Sequence, residues 1–424
     1  MPQIQIKAMK NNDLDLPLSA RWVHSLLGGI RIGQIRVLTD EGHEHTFAGQ
    51  SHPELKVEWR LHHPARLLSR LARLGDIGIA EAYIHGDFST DNLTRLLEIG
   101  ARNMDVMADD LRAGFWARLI HRLQHALRSN HKRGSRRNIS AHYDLGNEFY
   151  RLWLDPSMTY SSALFSRPDE PMAEAQARKY QRLIDALEAK PDDHILEIGC
   201  GWGGFAEQAT QQGIHVSGIT LSTEQQAFSI ERMARAKVPA QAKFFLTDYR
   251  DQTGTFDHIV SVEMFEAVGE RYWPTYFQTI YDRLKPGGRA AIQVITISEK
   301  AFESYRREPD FIQLYIFPGG MLPTIELFTQ GAKHAGLEVK DTFLFGKDYA
   351  RTLSLWAESF NQHTEALDAL GFDERFRKTW QYYLAYCEAG FLAEHINVAQ
   401  VLLEKPKNAT VRSQAAATES KDMA

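Results

Sequence analysis

The 424 residues exceed what one hydrophobic core usually organises, and a hydrophobic content of 43% is enough to pack two domains. The net charge of −5 is uneven: Leu111 to Tyr143 holds eight Lys/Arg and no Asp/Glu, which leaves −13 on the rest and argues against a nucleic-acid surface spread over the chain. The start, MPQIQIKAMKNNDLDLP, lacks a basic-then-apolar leader, no stretch reaches the roughly 18 apolar residues of a bilayer span, and two cysteines (Cys200, Cys387) make no disulfide framework, so a cytoplasmic protein is expected.

In chain order, residues 15–105 read as a small α+β unit. IRIGQIRVLTDEGHEHTF alternates like a hairpin around Asp40 to Gly42, PARLLSRLARLG has helical spacing, and DNLTRLLEIG reads as a helix with an Asp cap and a Gly stop. His62 and His63 have no partner at metal-ligand spacing, and no metal is expected. The basic stretch follows. Phe115, Trp116, Leu119, Ile120, Leu123 and Leu127 share one helical face, with Arg112, Arg118, Arg122 and Arg128 elsewhere, before the polar run RSNHKRGSRRN. An interdomain helix packed by its apolar stripe and attachment to anionic lipid both fit this pattern.

From about residue 180, HILEI (194–198), IHVSGIT (214–220), AKFFLTD (242–248), FDHIVSV (256–262) and RAAIQVITI (289–297) alternate with helical segments. That rhythm predicts an α/β, doubly wound, Rossmann-like parallel sheet. The tail NATVRSQAAATESKDMA is poor in large apolar residues and reads as disordered.

LEIGCGWGGF follows the first of these strands and opens a helix, where glycines let a backbone approach a nucleotide. Gly199, Gly201 and Gly204 fit a dinucleotide pattern; Gly199, Gly201 and Gly203 fit that of S-adenosylmethionine methyltransferases. A dinucleotide site wants an acid at the end of the second strand, where Thr220 and Leu221 stand instead. Glu197, two residues before the first glycine, is placed as in methyltransferases. VEMFEAVG stands where enzymes that methylate base amines carry an Asp/Asn-Pro-Pro-aromatic motif, which argues against base methylation.

AHYDLGNEFYRLWLDPSMTYSSALF, LEIGCGWGG, GITLSTEQQ, VSVEMFEAVG, LKPGGR, YIFPGGMLP, DYARTLSLW and YYLAYCEAGF occur in that order over residues 140–395. Together they resemble the cyclopropane fatty acid synthases and related lipid-alkene C-methyltransferases, and LGDIGIAEAYIHGDF resembles the accessory domain of the longer bacterial members. The resemblance implies a class I S-adenosylmethionine methyltransferase fold over 139–405, a small lipid-facing N-terminal α+β domain over 1–110, a basic helix and linker over 111–138 and a tail over 406–424. It implies methyl transfer to the cis double bond of an unsaturated phospholipid acyl chain, with a cyclopropane fatty acid as the favoured product and a methylene or methyl-branched chain as the runner-up.

An alkene is a weak nucleophile and its methylation leaves a cation, so the site must exclude water and stabilise positive charge, a task for aromatic faces. Tyr143, Tyr160, Phe265 and Tyr315 are the candidates. In the resembling enzymes a bound bicarbonate takes the proton. Carried over, its holders are Glu266, Tyr315 and Ile295, with Ser162 at a position usually Cys and Gln293 at one usually His. For S-adenosylmethionine the expected contacts are Glu197, Gly199 and Gly201 at the methionine part and Tyr160 and Ser161 from the preceding loop. Thr220, Leu221 and Gln225 are expected near the ribose and adenine, and Asp248 and Tyr249 beside adenine, with a turn-capping role for Asp248 equally open. Glu263 receives no role beyond capping. An enzyme on intact phospholipid must reach a membrane, so attachment to anionic lipid through 111–137 at the inner face is expected, and a homodimer is the family habit. A methyltransferase for a small soluble nucleophile and a lipid carrier without catalysis are the competing classes; the apolar run FIQLYIFPGGMLP and the intact EIGCGWGG count against them.

Overall fold

Successive residues of a strand point to opposite sides of its sheet, and strands buried on both sides read as continuous apolar runs. β5 (His194–Ile198), β6 (His215–Thr220) and β8 (Phe256–Val262) are such runs. Ile195 and Val260 enter one core with Phe205, Val216 and Phe244, while their neighbours Leu196 and Ile259 enter another with Phe277, Ile292 and Phe328. The computed structural model that shows this describes residues 16–17, 20–107, 145–238 and 240–408. The expectations for the basic segment, Tyr143 and the tail lie outside those residues.

β7 (Ala242–Leu246) and β9 (Leu284–Ile297) complete the parallel strands, and β10 (Glu338–Leu344) and β11 (Ile396–Glu404) join antiparallel, in the order β10-β11-β9-β8-β5-β6-β7. The chain leaves β5 to both sides. That reversal opens a crevice at the carboxyl ends of β5, β6 and β8, the usual ligand position in such sheets. The sequence reading did not identify β10 and β11. β10 has an exposed pattern with no apolar run, and β11, which is largely buried, lies between β10 and β9 and pairs antiparallel with both.

The N-terminal unit is a sheet ordered β2-β1-β3-β4, with β1 (Ile32–Thr39) and β2 (Glu44–Ala48) the predicted hairpin, β3 (Ser51–Leu61) parallel to β1, and β4 (Phe88–Thr90) on the edge. Helices α1 (Trp22–Leu27), α2 (Pro64–Leu74), α3 (Ile77–Ile84) and α4 (Leu93–Arg102) accompany it. α4 starts one residue later than predicted. Asn92, not Asp91, accepts from Arg95 N at 2.8 Å, while Asp91 accepts from Glu58 N at 2.9 Å. Gly100 does not end the helix, which runs to Arg102 before Asn103.

Of the remaining helices, α5 (Met172–Leu187), α6 (Gly204–Thr210), α7 (Thr223–Arg235), α8 (Trp273–Arg283), α9 (Glu299–Arg307), α10 (Ile325–His334) and α11 (Gly346–Gln362) belong to the larger unit. α12 (Glu374–Leu392) joins the two units. It accepts Tyr83 Oη on Gln381 Oε1 (3.2 Å), Thr94 Oγ1 on Glu388 Oε2 (2.8 Å) and Arg102 Nη2 on the Leu392 carbonyl (2.5 Å).

Candidate active site

At the end of β5 the backbone turns through Gly199 (φ +82°) and Gly201 (φ +50°), a region that only glycine enters freely. A Cβ on Gly199 would meet Met264 Cγ at 2.8 Å, whereas one on Gly201 would meet nothing within 4 Å. The second glycine therefore fronts open space. Glu197 lies behind the turn, buried, and its Oε2 has no hydrogen-bond partner among the described residues. Burial pushes its carboxyl up to about 8 against the opposing pull of Lys179 and Arg232. An orphaned buried oxygen costs about 1–3 kcal/mol unless a donor arrives. The ammonium of a methionine moiety is such a donor, and the open cradle at Gly201 is the room it needs, so these residues fit S-adenosylmethionine.

The other expected cofactor residues line the same cavity. Thr220 Oγ1 donates to Gln225 Oε1 at 2.8 Å, fixing the first turn of α7 against the end of β6. Leu221 follows on the cavity wall. Ser161 Oγ accepts from Lys179 Nζ at 2.6 Å, and Tyr160 Oη meets Tyr383 Oη at 2.6 Å. Tyr249 is buried, and its hydroxyl has no partner among the described residues. Asp248 caps the turn Tyr249–Asp251, accepting from Arg250 N (3.0 Å), Nε (2.8 Å) and Nη2 (2.6 Å). The turn-capping role is thus realised, with both carboxylate oxygens engaged.

Glu266 stands in the one-turn helix Phe265–Ala267 beyond β8. Phe265 anchors that turn in the core against Trp273, Tyr276, Phe277 and Phe328, so it is a packing residue and not a face toward the cavity. Glu266 Oε1 accepts from Ile295 N at 2.5 Å; its Oε2 is buried without a partner among the described residues. Burial, then the neighbouring charge of Glu263, pushes this carboxyl up to about 8, which keeps it protonated at neutral pH. Ile295 and Ile297 line the cavity beside it.

Three of the residues expected to hold bicarbonate have their polar groups committed to other partners. Tyr315 lies in the π-helical turn Ile312–Ile316, 41% exposed, stacked on Phe311 and donating to Glu81 of the N-terminal unit. Gln293 is fully buried under Glu263, donating to Glu263 Oε1 (2.7 Å) and accepting from Gln400 Nε2 (3.0 Å). Ser162 is fully buried, its hydroxyl turned to the Ala163 carbonyl (3.0 Å) and its N–H to Glu263 Oε1 (2.9 Å). Glu266 and Ile295 alone do not make the expected cage, and no step is routed through bicarbonate.

The sequence reading missed Glu263, Lys179 and Tyr349. Glu263 lines the cavity and accepts from Ser162 N, Gln293 Nε2 and, at 2.6 Å, Tyr349 Oη. Lys179 is fully buried on α5. Burial pushes its ammonium down, with Glu263, Asp155 and Glu197 holding it up. A lysine between Ala175 and Leu183 on the apolar face of a helix was the available signal.

The same cavity, of about 710 Å³, is also lined by Phe317, Tyr383 and Phe391 and by Leu26, Leu27, Ile35, Trp59 and Leu96 of the N-terminal unit. A cofactor cradle and a long apolar chamber thus share one space.

The family model described as mycolic acid cyclopropane synthetase matches residues 130–401. The tuberculostearic acid methyltransferase UfaA1 of Mycobacterium tuberculosis is 40% identical over 349 residues, 80% of this chain and 81% of that protein. The cyclopropane-fatty-acyl-phospholipid synthase of Escherichia coli strain K12 is 35% identical over 346 residues, 79% of this chain and 85% of that protein. Among solved structures, mycolic acid cyclopropane synthase CmaA1 complexed with SAH and CTAB superposes with a TM-score of 0.61 at 30% identity, covering 64% of this chain and 98% of that one.

Proposed function

The chain belongs to the mycolic acid cyclopropane synthetase family of S-adenosylmethionine-dependent methyltransferases acting on lipids, and from that premise we propose that it methylates the cis double bond of an unsaturated phospholipid acyl chain. The observation that carries this reading is the single cavity joining the Glu197, Gly199 and Gly201 cradle to an apolar chamber built from both units.

Bound S-adenosylmethionine supplies an electrophilic methyl group. The π pair of the double bond forms the new C–C bond as the C–S pair leaves with sulfur, and the neighbouring carbon becomes a cation. Tyr160, Tyr349 and Tyr383 wall this region with aromatic surface, and a desolvated cation–π contact contributes about 2 kcal/mol. Protonated Glu266 offers no nucleophile to the cation, and the apolar walls exclude water.

Loss of a proton from the former methyl with ring closure gives a cyclopropane. A second reading, hydride shift followed by loss of the same proton to leave a methylene branch, is supported by the 40% identity to a tuberculostearic acid methyltransferase. Contact with anionic lipid through 111–137 brings the enzyme to its substrate; what supports it is that stretch's eight Lys/Arg without an acid. No helix among the described residues is long and apolar enough to cross a membrane.

The test is incubation with S-adenosylmethionine and vesicles of cis-unsaturated phospholipid, with the fatty acids analysed by mass spectrometry and NMR. A gain of one carbon with ring protons supports the first product and vinylidene protons the second. No gain of carbon refutes both.

A further inference from the structure

Glu263 is an acidic side chain placed at some conformational expense. Its backbone is held at φ +50°, unfavourable for a residue with a side chain, and it lines the reaction cavity one turn from Glu266. Its two oxygens are unequally occupied. Oε1 takes Ser162 N and Gln293 Nε2, whereas among the described residues Oε2 takes only the Tyr349 hydroxyl. The donors behind Oε1 are themselves fixed: Gln293 accepts from Gln400, which accepts from Arg182 Nη1 at 2.9 Å. Burial pushes this carboxyl up, and every link in this file donates toward Glu263, which works against burial and in favour of a negative carboxylate there. The charged and titratable groups that face it are Lys179 from α5, Tyr349 from α11 and Glu266 from its own turn.

Resting on the methyl-transfer reading, we propose that Glu263 is a catalytic residue, the chain's own counter-charge and proton acceptor for the methylated cation, in place of a bound anion. The C–H bond of the former methyl breaks. Its electron pair becomes the new C–C bond of the ring, or the C=C bond of the methylene after hydride shift, and the proton passes to Oε2. Three donors spread the carboxylate's charge and hold it in place, so it takes a proton without being freed to form an ester with the cation. Glu266, with one backbone donor and Glu263 beside it, keeps its own proton, and two adjacent acids divide the roles of ionised and protonated group.

The experiment compares the parent enzyme with Glu263→Gln and Tyr349→Phe on cis-unsaturated phospholipid vesicles. Each variant is assayed with and without carbonate-free buffer, alongside calorimetry with S-adenosylhomocysteine. Glu263→Gln is expected to lose on the order of 100-fold or more in turnover while binding S-adenosylhomocysteine within about twofold of the parent. Tyr349→Phe removes the donor on Oε2, so the acid limb of its pH–rate profile moves upward by on the order of one pH unit, a shift that a packing role would not produce. The parent's rate is expected to be the same without bicarbonate. An active parent with an equally active Glu263→Gln variant overturns the proposal alone, as does a parent that stops without bicarbonate and recovers on its addition. Loss of S-adenosylhomocysteine binding together with an unmoved Tyr349→Phe profile reduces Glu263 to a structural part and also overturns it. A parent that adds no carbon to any lipid overturns the methyl-transfer reading and the proposal with it.

Discussion

The two glycines of the cradle make separable predictions. In Gly199→Ala the new Cβ is fixed by the backbone at 2.8 Å from Met264 Cγ and 3.0 Å from Met264 Cβ, at φ +82°. Placing a side chain in that left-handed region costs about 1–2 kcal/mol, and overpacking adds about 1–3 kcal/mol. Met264 Cβ cannot swing away without moving the turn that carries Glu266. The same substitution at Gly201 carries the conformational cost alone, since its Cβ meets nothing within 4 Å. That methyl instead occupies the space assigned to the cofactor. Differential scanning fluorimetry and titration calorimetry with S-adenosylhomocysteine read the two effects independently. Gly199→Ala is expected to lower Tm by several degrees; Gly201→Ala should lower it slightly while weakening S-adenosylhomocysteine by roughly tenfold or more, the loss of at least 1.4 kcal/mol. A Gly201→Ala protein that binds at parental affinity refutes the placement of the cofactor at this turn, and an undisturbed Tm for Gly199→Ala refutes the packing argument.

Glu266→Gln, which keeps the shape and neutral charge of a protonated carboxyl, should keep turnover and S-adenosylhomocysteine binding near the parent's, and a sharp loss of rate refutes the protonated, non-reacting role given to Glu266. Because the folded carboxyl sits at about 8 against an ordinary 4.5, the folded state holds a proton that the unfolded chain has lost. Stability contributed by this group therefore falls between pH 4.5 and 8, and the Gln variant, which does not titrate, should gain on the parent across that window in denaturant melts. Lys179→Met removes the donor at 2.6 Å from Ser161 Oγ and the only cation facing Glu263 among the described residues. It should weaken S-adenosylhomocysteine, measured by calorimetry, and lower Tm, since the net worth of a hydrogen bond is about 0.5–1.5 kcal/mol. Replacing the eight Lys/Arg of 111–137 by Gln should abolish sedimentation with anionic vesicles at low salt; co-sedimentation equal to the parent's refutes the lipid contact.

The parallel sheet was legible because its central strands are buried on both faces and so stand out as apolar runs; HILEI and FDHIVSV match β5 and β8 residue for residue. Glycine spacing likewise marks a backbone property and survives without tertiary knowledge. Side-chain direction does not. Tyr315 belongs to a motif that suggests chemistry, yet it occupies a π-helical turn, whose wider winding changes which residues share a face, and it points to Glu81. Gln293 and Ile295 share a face of β9 by the two-residue period, but Gln293 lies deeper in the sheet, opposite Val262 and Gln400, where Glu263 covers it. Glu263 read as a cap because its three donors come from distant parts of the chain, Ser162, Gln293 and Tyr349, and no local pattern brings them together.

α12 makes contacts on two sides, holding the N-terminal unit through Gln381 and Glu388 and lending Tyr382, Tyr383 and Phe391 to the cavity. The same cavity is lined by Leu26, Leu27, Ile35 and Trp59, residues separated by more than 100 positions from the glycine turn. The acyl chain proposed above would then be fitted against side chains of the N-terminal unit as well as against the cofactor end. The room available to a lipid tail thus depends in part on a unit that carries none of the residues of the glycine turn.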